Sequence, residues 1–144
     1  MRRFSLKLIR QVGDYECVLC SVAMCMNVDA EDIRRWVKHD PEEIMWPEKG
    51  HPNHHRGIQL EDLLPIIYKF GYACMPFFRA IEINGKEIRI NGKFPINGNI
   101  GILMYSDISH VVAWDGYKVY DPRGYIATEV NAQWDEFWMF KELI

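Results

Sequence analysis

Ten consecutive residues, Cys17-Val18-Leu19-Cys20-Ser21-Val22-Ala23-Met24-Cys25-Met26, carry no charge and only one hydroxyl. A helix that is apolar on every side has to be enclosed by the rest of its fold. The segment therefore predicts a buried central helix from Cys17 to about Asn27, covered by the remainder of the chain. In front of it, Gln11-Val12-Gly13-Asp14-Tyr15-Glu16 has turn chemistry, with Gly13 and Asp14 available for a bend and a cap. Cys17 is thereby expected at a loop-to-helix junction.

Two further helices are predicted as cover. Asp29 is placed to cap one whose apolar stripe is Ile33, Trp36 and Val37. The other runs from about Gln59 to Phe70, carries Leu60, Leu63, Leu64, Ile67 and Tyr68 at helical spacing, and stops at Gly71. Between them lies a long loop, His39 to Arg56, with His51, His54 and His55. Loops of that length inside a domain are usually functional or mobile.

The second half reads as sheet. Ile81-Glu82-Ile83 and Ile88-Arg89-Ile90 alternate around an Asn84-Gly85 turn, and Ile100 to Tyr105 and His110 to Trp114 read as core strands. Asp115-Gly116 is expected to turn the chain tightly into Tyr117 to Tyr120. The tail, Trp134 to Ile144, is a helix or strand packed by Phe137, Trp138 and Phe140. Helices first and antiparallel strands second is an α+β order, here in one domain over residues 1–144. A chain of 144 residues can hold such a core without disulfide or metal staples.

Charge and patterning disfavour several functions. Lys and Arg total 17 against 20 Asp and Glu, for a net charge of −3 with no long basic run, which argues against a nucleic-acid partner. No apolar run approaches the ~20 residues of a membrane helix. The first ten residues start with positive charge, but Lys7 and Arg10 break the apolar stretch a signal peptide needs. A cytoplasmic location is expected, with Cys17, Cys20, Cys25 and Cys74 as reduced thiols rather than a disulfide framework.

Cys17 is the residue best placed for chemistry. Unsatisfied N–H groups at a helix start favour a thiolate and are expected to lower its pKa. Gln11, on the preceding loop, can join the Cys17 N–H as donor to an oxyanion. His110 opens a strand and Asp121 ends the next, so a hairpin between them brings base and orienting carboxylate to one end.

These four residues, in the order Gln11, Cys17, His110, Asp121, resemble the papain-like cysteine peptidase superfamily. More narrowly, "HVVAWDGYKVYDPRG" and "GIQLEDLLPIIYKFGY" are similar to stand-alone relatives of the bacteriocin-processing peptidase family, which cuts double-glycine leader peptides. The resemblance spans nearly the whole chain. It implies a papain-like fold, with Cys17 as nucleophile, His110 as general base and acid, Asp121 as its orienter and Gln11 as oxyanion donor, acting on a peptide or isopeptide amide without metal or organic cofactor. A glutamine deamidase or transglutaminase-like enzyme would use the same groups. The chain departs from the family's Asp-Cys-Gly in having Glu16-Cys17-Val18, and that departure supports an alternative: a catalytically silent papain-fold binding or inhibitor protein.

Plainer readings stand beside these. Cys20, Cys25 and Cys74 read as core residues, as do Trp114, Trp134 and Trp138. Asp115 is a rival orienter at the hairpin tip. Cys17 and Cys20, with His51 and His54, have the residue types of a zinc site, although a C-x-x-C running into a buried helix is badly placed for chelation.

Overall fold

The apolar run folds as helix α1, Cys17–Met26, and every residue after Cys17 is buried. It ends at Asn27 in the left-handed conformation, with the Val28 N–H on the Ala23 carbonyl and the Asn27 N–H on that of Met24. The computed structural model describes residues 6–13, 16–38, 45–46, 55–56, 58–90, 92–128 and 133–143. Asp14, His51 and His54, which the sequence singled out, lie outside the described residues, as does most of the loop 39–56.

The cover of α1 is α2 (Ala30–Val37), α3 (Leu60–Lys69) and an antiparallel sheet. Ile33, Leu60, Leu63 and Ile67 pack against the helix as expected. Two stripe residues do not. Trp36 is half exposed, its ring capped by Lys69 Nζ at 3.7 Å from the centroid, and Tyr68 is 72% exposed. A cation over an indole face stabilises the ring outside the core. Asp29 flanks α2, but its side chain makes no capping bond.

Two short strands, β1 (Met45–Trp46) and β2 (His55–Arg56), pair between α2 and α3, so strands are not confined to the second half. After α3 come β3 (Tyr72–Phe78), β4 (Ala80–Ile83), β5 (Lys86–Arg89), β6 (Gly101–Tyr105), β7 (His110–Trp114), β8 (Val119–Asp121), β9 (Tyr125–Ala127) and β10 (Glu136–Glu142). β4 and β5 form the expected hairpin on Asn84-Gly85, standing apart from the main sheet. The main sheet has six strands in the order β3-β10-β6-β7-β8-β9. The tail is thus a strand, inserted between β3 and β6. Pro76 is accommodated because β3 lies at the sheet edge, where a missing N–H leaves no ladder bond unmade.

Alternation along β7 divides the interior in two. Val111 and Ala113 belong to the core shared with the helices, whereas Val112 and Trp114 join Trp134 and Phe137 on the other face. Cys20 and Cys25 are buried in the first core, Cys74 packs at its margin, and Trp114, Trp134 and Trp138 are all buried. No described helix is long and apolar enough to cross a membrane.

The hairpin joining β7 to β8 turns one residue later than expected. Trp114 pairs with Val119 and the Asp115 N–H donates to the Lys118 carbonyl at 3.2 Å, leaving Gly116 and Tyr117 at the tip. The Asp115 carboxylate organises it, accepting the N–H of Tyr117 at 2.7 Å, the N–H of Lys118 at 2.6 Å and the Tyr120 hydroxyl at 3.0 Å. Gly116, at φ +103°, lies so close to Gly98 that a Cβ would come within 2.9 Å of its backbone. Asp115 is therefore a turn-builder at the end of the strands away from His110.

Candidate active site

Cys17 is the first residue of α1, with Glu16 at the N-cap. Its sulfur is half-buried and faces the backbone N–H groups of Val111, Val18 and Cys17 itself. Val111 follows His110 directly, so the helix start and the start of β7 meet at this point. One turn on, the Ser21 hydroxyl reaches the Val111 carbonyl at 3.5 Å.

The loop before the helix is tied on two sides. The Gln11 N–H donates to the Pro122 carbonyl at 2.7 Å, anchoring the loop beside Asp121. Gly124 leaves room for this approach, since a Cβ there would lie 2.9 Å from Arg10 Nε. On the other side the Glu16 carboxylate accepts the N–H groups of Val12 and Gly13, at 3.1 and 3.4 Å. That carboxylate is fully buried and grips Arg34 of α2 in a two-pronged pair, Nε to Oε2 at 2.7 Å and Nη2 to Oε1 at 2.8 Å. Arg34 compensates a charge that could not otherwise be buried next to a thiol. Reading the sequence took Glu16 only as a departure from a motif and did not single out Arg34. The available signal was the chain's only acidic residue beside the apolar run, with an arginine in the following helix.

His110 and Asp121 meet as expected. Extending the Ala113–Tyr120 pairing sets Asp121 across from Val112, hence diagonal to His110 on one face of the sheet. His110 Nε2 lies 3.0 Å from Asp121 Oδ1, and both side chains are buried. Burial alone pushes the Asp121 carboxyl up. Bonds from the Arg123 backbone N–H, the Arg123 guanidinium and the Tyr125 hydroxyl, with the nearby imidazole, outweigh burial and hold it below its ordinary value. An ionised carboxylate only accepts, so the proton of the imidazole resides on Nε2 and the Nδ1 lone pair is left free. Arg123 Nε and Nη2 complete the clamp at 3.3 and 3.2 Å.

Burial lowers the His110 pKa below its ordinary 6.5, against the attraction of Asp121. The unfolded chain takes up this proton at about its ordinary value, and the folded protein only at lower pH. Unfolding therefore binds a proton within that window, and stability falls as pH drops through it. Asp121, also depressed, adds to the loss at still lower pH. The expected result is a urea midpoint that declines below pH 6.5, with a shallower decline in His110→Gln. Identical slopes for the two proteins would contradict the assignment.

The structure reverses one electrostatic expectation. The three N–H groups do pull the Cys17 thiol down, but burial is larger and Asp121 opposes ionisation too, so its pKa lies above the ordinary thiol value. With the thiol raised and the imidazole lowered, both groups are neutral at rest. Gln11 also differs from expectation: Nε2 donates to the Gly13 carbonyl at 3.0 Å, which commits one of its two N–H bonds to its own loop. Its Oε1 is buried with no hydrogen-bond partner among the described residues.

Cys20 is pushed up to about 12, chiefly by burial, as is Cys74, and Cys25 lies well above its ordinary value. None of the three is suited to nucleophilic work. Among the described residues no three His, Cys, Asp or Glu side chains gather as a metal-binding group. No protein-family model, curated protein or solved structure matches the chain.

Proposed function

We propose that this protein is a cysteine-dependent hydrolase of papain-like architecture, acting on peptide or isopeptide amides through Cys17, His110 and Asp121. The observation that carries the reading is a half-buried sulfur facing the backbone N–H of Val111, the residue next to His110 in β7, whose Nε2 is held by an ionised aspartate.

As the sulfur attacks a carbonyl carbon, its proton passes to His110 Nδ1 and the C=O electrons move to oxygen. The Cys17 N–H and the second N–H of Gln11 serve as donors to that oxyanion. Collapse breaks the C–N bond, His110 returns the proton to the leaving nitrogen, and a thioester remains on Cys17. Water, deprotonated by the same nitrogen, releases the acid and restores the thiol. Because both partners start neutral, the imidazole acts as a true base on a thiol. Deamidation of a glutamine side chain would run through the same steps with ammonia leaving. Four unpaired cysteines suit a reducing, cytoplasmic setting.

Alkylation tests the reading. At neutral pH, iodoacetamide should modify Cys17 before Cys20, Cys25 and Cys74, and His110→Ala should remove that lead. If Cys17 reacts no faster than the others and is indifferent to His110, a silent binding protein is the better description.

A further inference from the structure

A pocket of about 140 Å³ opens on the face of the sheet turned away from α1, and His110 and Asp121 form one of its walls. Val112 and Val119 make its floor, and Arg123 and Tyr125 stand at its rim. From this we infer that the pocket receives an aliphatic side chain of the amine-side, departing segment of the substrate. The inference rests on the catalytic reading above.

Position argues for the amine side. In acyl transfer the acyl part stays on sulfur, while the amine departs from the nitrogen that protonates it. The cavity touches the imidazole and is not lined by Cys17, so it lies where the departing segment passes.

Chemistry argues for an aliphatic occupant. Polar groups in the wall are engaged with one another, His110 Nε2 with Asp121 and Asp121 with Arg123, while Ile108, Val112, Val119 and Ala127 supply an aliphatic lining. Methyl groups entering here would leave water for contact with Val112, Val119 and Ala127. An apolar cavity of about 150 Å³ can enclose a benzene molecule, so a leucine or isoleucine side chain fits. Burying such a side chain is worth roughly tenfold or more over glycine.

Two measurements test this and separate it from the catalytic reading. In amide-resolved NMR of the whole protein, L-leucinamide should give saturable shifts at Tyr105, Val112 and Val119 that glycinamide does not. Val119→Trp, or Ala127→Phe should the first variant fold poorly, should abolish them. Absence of saturable shifts at these residues overturns the pocket assignment. Digestion of a mixed peptide library, with new N-termini read by mass spectrometry, should show Leu, Ile, Val and Met enriched about tenfold, and the filling variants should lose that enrichment. Cleavage without enrichment overturns the pocket assignment and leaves the hydrolase reading standing. Leucinamide binding without cleavage, with Cys17 inert to iodoacetamide, overturns the hydrolase reading and with it the amine-side role.

Discussion

Arg34→Met should destabilise the protein by about 3–5 kcal/mol, the cost of leaving a buried carboxylate without its counter-ion. Glu16 is 1% exposed and Arg34 8%, so neither charge can turn to water. Methionine preserves much of the volume and removes the charge, its two bonds to Glu16 and a third to the exposed Glu31. The loss should be smaller at pH 5 than at pH 8, because an orphaned Glu16 can take up a proton. Glu16→Gln in the same chain should recover a good part of it, since the amide oxygen still accepts the Val12 and Gly13 N–H groups. Urea unfolding of the two single variants and the double variant completes the cycle. A value for Arg34→Met within 1 kcal/mol of wild type would mean that the pair does not hold the loop.

Asp121→Asn should slow alkylation of Cys17 at pH 7 by about 10²-fold, the range in which a positioned base contributes. The change is nearly isosteric but reverses the polarity of the bond to His110. An amide nitrogen facing Nε2 would donate, forcing the imidazole proton onto Nδ1. The nitrogen meant to receive the thiol proton would then already hold one. His110→Ala should lose about as much, and the double variant little more, because the two side chains act as a unit. Nitrogen chemical shifts of the His110 ring report the tautomer directly. Alkylation of Asp121→Asn within threefold of wild type would show that Asp121 does not set the imidazole's state.

Much of the local structure was legible in the amino-acid sequence, and little of the long-range structure was. α1 follows from an unbroken apolar run, and the turns at Asn84-Gly85 and Gly71 from residues that tolerate positive φ. The His110–Asp121 pair and the place of Cys17 at a helix start were legible because turn chemistry fixes where a helix begins and where consecutive strands end. β3 was not assigned, since Pro76 argues against a strand until its edge position is known. The site of β10 depends on pairing with residues far away in the chain, which periodicity does not encode. Glu16 looked like a departure from a motif, yet its meaning lies in Arg34, 18 residues on. The Cys17 pKa failed for a related reason: a helix start pulls a thiol down, but the depth at which the sulfur is buried is a property of the whole fold.

The placement of β10 has a consequence for how the molecule is made. Its seven residues stand between β3 and β6, so these two strands touch only through a segment synthesised after both. Before residues 136–142 join the fold, β6 and β7 can already pair, but β3 has nothing to dock on. Until that segment is in place α1 is incompletely covered, and assembly of the sheet waits on it.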